Sequence, residues 1–235
     1  MGKQPKRILL KISGEALAKG SDFTFNFDKV REICGVISRC AKMGVQVAVV
    51  CGAGNIWRGR QGNDMDRCRA DHMGMLATTI NALALQDVFL RVGMKAQVMT
   101  AVEMKVFADH YTSRDAIKAL ENGTVVIFGC GLGTPFFSTD TAAALRAAEI
   151  RADCILMAKN IDAIYSADPK KDPNAVRYSE VTYLQIIEEN LRALDMSSAI
   201  FCMDNNIKTY AFALEDPMNI YRAVMGENVG TETHN

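Results

Sequence analysis

The sequence predicts an α/β fold in which helices cover both faces of a mostly parallel sheet. Two observations support this prediction. Short apolar runs recur along the 235 residues, and longer segments with helical periodicity separate them. Strand–helix alternation of this kind produces parallel strands joined by crossover helices. With 49% hydrophobic residues the chain can bury a sizeable core, and we expect residues 1–235 to form a single domain.

The predicted strands are apolar at consecutive positions, which is typical of strands buried on both faces. They cover Arg7–Lys11, Val45–Cys51, Ala96–Thr100, Thr124–Phe128, Cys154–Ala158 and Thr209–Leu214. Open α/β sheets bind ligands beyond the carboxyl ends of their strands. The segments that follow these runs are therefore the candidates for a functional site.

The predicted helices each have a polar N-cap candidate, and a glycine follows each of the first three. They run from Asp28 to a stop at Gly44, from near Asp71 to Arg91, and from Ser113 to the residue before Gly123. The fourth starts after Thr139–Asp140, at Thr141. The segment Ser166–Tyr178 holds two of the five prolines and many charges, so we expect a long exposed loop, a candidate lid or nucleotide edge. The polar tail after Gly226 is expected to fray.

Composition and charge exclude several classes of protein. Lys and Arg number 27, as do Asp and Glu, whereas a chain whose main partner is nucleic acid is usually basic. The seven cysteines are scattered without a CxxC pair, which favours reduced thiols over a disulfide framework or a zinc site. Neither a signal-peptide pattern nor an apolar run long enough to span a membrane is present. We therefore expect a cytoplasmic protein with no nucleic-acid or membrane partner.

The end of the first predicted strand offers groups suited to phosphate. Lys11 is followed by Ile12, Ser13 and Gly14, which brings an ammonium group and turn amides together. The P-loop pattern GxxxxGK[ST] is absent from the chain. The alternative is a strand-ending lysine followed by an ordinary turn.

The second predicted strand leads into Gly52–Gly59, with the sequence GAGNIWRG. Small residues let backbone amides approach an anion closely, and Arg58 could fork onto phosphate oxygens. The alternative is a tight turn between a strand and a helix.

Asp71 opens the helical pattern DHMGMLATTINALAL and has two interpretations. Aspartate is a favoured helix N-cap. It could instead accept hydrogen bonds from a ribose hydroxyl, as acidic residues do in dinucleotide-binding folds. The adjacent His72 is interpreted as structural.

The segment Gly129–Asp140 is the most informative part of the chain. Its sequence GCGLGTPFFSTD combines glycines that permit close backbone approach, two adjacent aromatic residues, and three polar residues just before a helix. The alternative is an N-capped helix with Phe136 and Phe137 plugging the core.

The fifth predicted strand is followed by Lys159–Pro169. Tyr165 could face a nucleobase and Asp168 could hydrogen-bond a base or ribose, although an ordinary turn ending at Asp-Pro is the alternative.

Cations, glycine-rich amides and carboxylates at strand ends suit phosphoryl transfer, in which positioning and electrostatics dominate. An acceptor that is itself a phosphate is largely ionised at neutral pH, because its second pKa is about 6, and it needs no general base.

Together these segments resemble the amino acid kinase superfamily and, within it, the bacterial uridylate kinases. The resemblance runs from KRILLKISGEAL to AVMGE and is closest in GAGNIWRG, DHMGMLATTINALALQD, GLGTPFFSTDTAAALRAAEI and AIYSADPKKDP. It implies a doubly wound α/β fold, Mg²⁺ with ATP as phosphoryl donor, UMP as acceptor and a homohexamer. It also implies activation by GTP, at a region matching Ser21–Asp28, and inhibition by UTP.

The resemblance further implies roles for individual residues. The catalytic set is Lys11, Arg58 and Asp140, and no metal ligand is implied. ATP contacts fall on Lys11, Ile12, Ser13, Gly14, Ala53, Arg58, Lys159, Tyr165 and Asp168. UMP contacts fall on Gly52, Asp71, Leu132, Gly133, Thr134, Pro135, Phe136, Phe137, Ser138 and Thr139. We expect Asp140 to orient Lys11 rather than to act as a base, because the phosphate of UMP is already an anion.

The chain departs from the family pattern at four places. Ala53 stands where the family usually has glycine, and Thr134 stands where it often has asparagine. Lys159-Asn160 stands where many members have Thr-Lys or Asn, and SDFTFNFD lacks the usual Gly-Ile-Asp of the activator region. Amino acid and carbamate kinases of the same superfamily lack the FF-[ST]-TD element. A nucleotide-binding storage or regulatory protein on the same fold is a rival from a different class, but retention of Lys11, Arg58 and Asp140 argues for catalysis.

Overall fold

A computed structural model of the chain describes residues 4–57, 64–191 and 194–235. In this part of the chain the strands are β1 Arg7–Ile12, β2 Gln46–Cys51, β3 Ala96–Thr100, β4 Asp109–His110, β5 Val125–Gly129, β6 Cys154–Lys159, β7 Ile164–Tyr165, β8 Arg177–Tyr178, β9 Glu180–Thr182, β10 Lys208–Ala213 and β11 Gly230–His234. The helices are α1 Glu15–Ala18, α2 Phe27–Lys42, α3 Arg67–Arg91, α4 Ser113–Glu121, α5 Thr139–Glu149, α6 Tyr183–Glu188, α7 Met196–Asp204 and α8 Met218–Val224.

Nine of these strands form one sheet in the order β4-β3-β5-β2-β1-β6-β10-β11-β9. Its neighbours pair in parallel, except that β10 and β11 are antiparallel. The predicted mostly parallel α/β fold is confirmed. The strands β7 and β8 form a separate antiparallel hairpin.

The apolar runs became strands because helices cover the sheet on both faces. On β1, Ile8 and Leu10 pack into one core cluster and Leu9 packs into the other, and none of the three is exposed to solvent. Successive side chains of a strand point to opposite faces, so a strand covered on both sides is apolar over most of its length. All six predicted strands are present, with ends shifted by a residue or so.

The predicted start of the second helix near Asp71 is wrong. Helix α3 begins at Arg67, and the side chain of Asp66 caps it by accepting a hydrogen bond from the Arg69 backbone amide at 3.1 Å. Asp71 therefore lies in the second turn of the helix. Asp66 and Asp71 are both acceptable N-cap candidates, so the sequence pattern alone does not decide where the helix begins.

The prediction of a fraying tail after Gly226 is also wrong. The terminal segment forms β11, which lies between β10 and β9 in the sheet. Gly230 is needed there, because a Cβ atom at this position would lie 2.0 Å from the carbonyl oxygen of Ala211. Thr231 is buried and accepts a hydrogen bond from the Ile164 amide while donating one to the Tyr178 carbonyl. Tertiary contacts supply the hydrogen bonds of the Thr231 hydroxyl, so the polarity of the segment did not predict disorder correctly.

Contrary to the expectation that no apolar run is long enough to span a membrane, α3 is long and apolar enough to cross one by length and composition. In the structure it packs on the sheet against β3 and β5, and it buries Ala77, Ala82, Leu85 and Phe89. A core helix covered by a sheet on one side meets the same criteria, so its composition is accounted for by packing.

The cysteines carry free thiols, and all but Cys68 are buried. Burial raises the pKa of Cys34, Cys51 and Cys154 to about 12. These thiols stay protonated near neutral pH and pack as small hydrophobic side chains.

The carboxyl ends of β1, β2, β5 and β6 meet at one edge of the sheet, because these strands are parallel neighbours or near neighbours. The chain leaves β1 towards β2 on one side and later returns to β6 on the other. A reversal of this kind opens a crevice at the strand ends.

Candidate active site

Three charged side chains meet in this crevice. The Nζ atom of Lys11 lies 2.7 Å from Oδ1 of Asp140, and Nζ of Lys159 lies 3.4 Å from Oδ2 of the same carboxylate. Lys11 comes from β1, Lys159 ends the neighbouring β6, and Asp140 is in the first turn of α5. The three side chains are between 12% and 18% exposed. We call this cluster the lysine–aspartate triad.

Electrostatics within the triad favour ionised Asp140. Burial alone would raise the pKa of this carboxyl group, but the ammonium groups of Lys11 and Lys159 outweigh burial and hold the pKa below its usual value. Burial lowers the pKa of Lys159, and Asp140 opposes that effect. With both lysines protonated, the triad carries a net positive charge and suits a ligand with several negative charges.

The two glycine-containing turns pack directly against each other. A Cβ atom at Gly14 would lie 2.4 Å from the carbonyl oxygen of Gly52, which no real side chain tolerates. At Gly52 an added Cβ would lie 3.4 Å from the Gly14 nitrogen and 3.5 Å from Oγ1 of Thr139. The turns after β1 and β2 and the start of α5 therefore converge on one small space.

A buried amide pair fixes the turn after β2. Asn81 on α3 is fully buried, and its Nδ2 atom donates to the Gly52 carbonyl at 2.7 Å and to Oδ1 of Asn55 at 2.8 Å. Asn55 donates in return to Oδ1 of Asn81 at 3.0 Å. The role of Asn81 was not predicted from the sequence, because an asparagine within an apolar helix has no distinctive spacing.

The N-terminus of α5 is held by a second hydroxyl–carboxylate network. Ser138 caps the helix by accepting from the amides of Asp140 and Thr141 at 3.0 and 3.1 Å. The carboxylate of Asp195, the N-cap of α7, accepts from the hydroxyls of Ser138 and Thr141. Asp195 thereby ties two helix starts together beside the triad. Asp195 was not predicted as a site residue, although an aspartate before an apolar run is a pattern that indicates an N-cap.

The segment between β5 and α5 adopts an unusual backbone. Cys130 and Phe136 have φ angles of 64° and 73°, in the left-handed region that residues with a side chain rarely occupy. The side chain of Phe136 is 63% exposed and that of Phe137 is 52% exposed. The alternative in which these two residues plug the core is therefore wrong, and both rings face outward at the rim of the crevice.

Asp71 joins this segment to α3. Its Oδ2 atom accepts a hydrogen bond from the Phe136 amide at 2.8 Å and another from Nε of Arg67 at 2.8 Å. The alternative in which Asp71 is an N-cap is wrong, because Asp66 fills that role. Arg67 was not predicted as a site residue, although its spacing of four residues from Asp71 is that of a common helical ion pair.

The hairpin of β7 and β8 borders a cavity of about 600 Å³ whose lining includes Ile161, Tyr165, Asp168 and Leu191. The Tyr165 hydroxyl donates to Asp162 at 3.0 Å, and Nε of Arg177 donates to the same carboxylate at 3.0 Å. Asp168 accepts a hydrogen bond from the Lys170 amide at 3.0 Å. The cavity falls within the size range of small-molecule sites.

The structure thus brings together the triad, the turns at Ile12–Gly14 and Gly52–Ala53, and the start of α5. The segment Leu132–Phe137 and Asp71 lie at one side of this group, and Tyr165 and Asp168 belong to the separate cavity. Arg58 lies outside the described residues.

Comparisons with known proteins agree with this architecture. The model of the amino acid kinase family matches residues 6–212. The structure of UMP kinase from Bacillus anthracis superposes with a TM-score of 0.95 at 34% identity, covering 99% of this chain and 97% of the other. UMP kinase from Ureaplasma parvum gives a TM-score of 0.93 at 36% identity, with full coverage of both chains. Uridylate kinase from Archaeoglobus fulgidus gives 0.73 at 29% identity, covering 96% of this chain and 99% of the other.

Proposed function

The chain belongs to the amino acid kinase family, and on that premise we propose that it is a UMP kinase, which transfers the γ-phosphoryl group of ATP to UMP to form ADP and UDP. The observation that carries phosphoryl transfer is the lysine–aspartate triad at the carboxyl edge of the sheet. The choice of UMP is supported by the full-length similarity to two UMP kinases at 34% and 36% identity.

The donor half of the site is assigned to the turns beside the triad. The amides of Ile12–Gly14 and Ala53 surround the phosphates of ATP, and Lys11, Lys159 and Arg58 supply positive charge. Tyr165 and Asp168 line the cavity of about 600 Å³, which has room for the adenosine.

Mg²⁺ is proposed to accompany ATP and to neutralise charge on its phosphates. Within residues 4–57, 64–191 and 194–235, no group of three or more His, Cys, Asp or Glu side chains is placed to hold a metal ion by itself. Phosphate oxygens are the ligands that Mg²⁺ commonly uses in sites of this kind, and no protein ligand is assigned.

The acceptor half lies between α3 and α5. Gly52 and the backbone of Leu132–Thr139 receive UMP, and Asp71 meets its ribose. The start of α5 directs the positive end of the helix dipole towards the acceptor phosphate.

Transfer in this arrangement needs positioning and charge more than proton chemistry. The phosphate of UMP attacks as an anion, so no group has to remove a proton from it. Lys11 and Lys159 lie where negative charge develops as the phosphoryl group moves between the two nucleotides. Asp140 holds both ammonium groups in place, because it contacts both. An ammonium group fixed before the reaction stabilises the transition state without reorganisation.

We expect UMP to be phosphorylated with a kcat/KM at least about a hundredfold above that of CMP, because a site that hydrogen-bonds one base edge leaves buried groups unpaired with the other. An assay that couples ADP release to NADH oxidation, run with UMP, CMP and no acceptor, measures this directly. The no-acceptor reaction controls for ATP hydrolysis. Comparable values for UMP and CMP would contradict the assignment of Leu132–Thr139 as the base-reading segment.

We further propose that the enzyme is a single-domain cytoplasmic homohexamer of pyrimidine nucleotide biosynthesis, activated by GTP and inhibited by UTP. An apolar stripe on α3 supports assembly, since Met73, Leu76 and Ile80 are between 39% and 52% exposed. Exposed apolar stripes of this kind commonly mark contacts between subunits. The region Ser21–Asp28 is proposed as the GTP-responsive segment.

A further inference from the structure

Phe136 has a backbone conformation that is unfavourable for a residue with a side chain. Its φ angle of 73° lies in the left-handed region, where a Cβ atom crowds the following carbonyl. Such residues persist where surrounding contacts over-determine them, and they concentrate at functional sites. The contacts that hold Phe136 therefore indicate what this segment is built to do.

Two side chains from α3 hold the residue. Oδ2 of Asp71 accepts the Phe136 amide at 2.8 Å, and the guanidinium of Arg67 lies 5.6 Å from the centre of the Phe136 ring. Arg67 also donates through Nε to the same Oδ2 atom at 2.8 Å. We call Arg67, Asp71 and Phe136 the acceptor clamp.

The geometry leaves one carboxylate oxygen for a ligand. Both hydrogen bonds to Asp71 use Oδ2, and no residue in the described ranges hydrogen-bonds Oδ1. The side chain is 15% exposed, so Oδ1 is partly shielded from water. A carboxylate close to an anionic acceptor would repel it unless a cation offset the charge, and Arg67 supplies that cation.

We propose that Arg67 is a positioning residue for UMP: it neutralises Asp71, covers the Phe136 ring and holds the backbone of Leu132–Thr139 in the form that receives the acceptor. The proposal deepens the proposed function and rests on it. Arg67 acts through Asp71 and Phe136 rather than by touching the reacting phosphates.

The other end of α3 supplies a matched control. Arg91 pairs with Asp87 at the same spacing of four residues, with Nε 2.7 Å from Oδ2. Both arginines are solvent-accessible, with side-chain exposures of 48% for Arg67 and 73% for Arg91. Within the described residues, neither Arg91 nor Asp87 forms a side-chain hydrogen bond or ion pair with Leu132–Thr139. Arg67→Met and Arg91→Met therefore each remove one arginine–aspartate ion pair between residues four apart on α3. Only Arg67→Met also removes a member of the acceptor clamp.

We expect Arg67→Met to raise KM and the calorimetric Kd for UMP by about tenfold, the loss typical of one hydrogen bond to a charged group. The KM for ATP of Arg67→Met should be similar to the KM for ATP of Arg91→Met. Amide hydrogen exchange in the ligand-free protein should be faster across Leu132–Thr139 in Arg67→Met and unchanged there in Arg91→Met.

Amide exchange and UMP binding test the acceptor clamp, and UDP formation tests the proposed reaction. Exchange across Leu132–Thr139 that is equal in the two variants, or a Kd for UMP that changes equally in both, would overturn the role of Arg67. A wild-type protein that forms no UDP while the exchange difference is present would overturn the proposed function and leave the clamp as a structural fact of the segment.

Discussion

Lys11→Met is expected to lower kcat by about two to three orders of magnitude, as deletion of a single preorganised donor at developing charge does elsewhere. The Nζ atom of Lys11 is 2.7 Å from Asp140 and points into the crevice where the phosphoryl group would move. Methionine keeps the length of the side chain and removes the ammonium. Asp140 retains Lys159 at 3.4 Å, so we expect the fold to survive.

Steady-state kinetics with saturating ATP and UMP, together with a thermal unfolding curve, test this expectation. Lys19→Met is the matched control, because Lys19 is 54% exposed and pairs with Glu215 at 3.2 Å on the surface. Near-normal kcat together with a lowered Tm would show that Lys11 is structural.

Asp140→Asn is expected to have the second large effect. Asparagine keeps the size of the side chain but leaves Lys11 and Lys159 without the carboxylate that holds them together. We expect kcat to fall by roughly a hundredfold, since the ammonium groups act in the transition state. KM for UMP should change little, because the lost interaction is not one that binds the ground state of the acceptor.

The pH dependence of the same variant separates an orienting role from a general-base role. Lys11 and Lys159 hold the pKa of Asp140 below its usual value against the opposing effect of burial, so Asp140 stays ionised from neutral pH down into the acid range. Its contribution to stability is present above the carboxyl pKa of the unfolded chain and is lost as pH falls through the lower folded value. An acid limb in kcat near pH 6 should therefore belong to the acceptor phosphate, whose second pKa is about 6, and persist in Asp140→Asn. Disappearance of that limb in the variant would establish a general base.

The fold was predictable because burial on both faces of a sheet leaves a strong signal. Leu9 and Leu10 face opposite core layers, and every position of β1 between Arg7 and Lys11 is apolar. The terminal strand was not predictable in this way. Thr231 and Thr233 are buried in β11 although the segment GTETH reads as polar.

The site residues that follow a strand were predictable from the sequence, whereas those placed by tertiary contacts were not. Lys11 and Lys159 were predictable because they lie at strand ends, and Asp140 was predictable because it lies near a helix start. No local pattern shows that Asn81 would bind Gly52 across 29 residues, or that Phe136 would be exposed with a positive φ. These features are set by the packing of α3 against two turns, which periodicity does not describe.

The transfer of a labelled phosphoryl group tests the central claim most directly. Protein is incubated with ATP radiolabelled in its γ-phosphoryl group and with UMP, and the products are separated by chromatography. We expect UMP-dependent formation of UDP labelled in its β-phosphate, with one ADP formed for each UDP and no transfer by Lys11→Met above background. Label released as inorganic phosphate, or tight nucleotide binding without any labelled UDP, would contradict assignment as a UMP kinase.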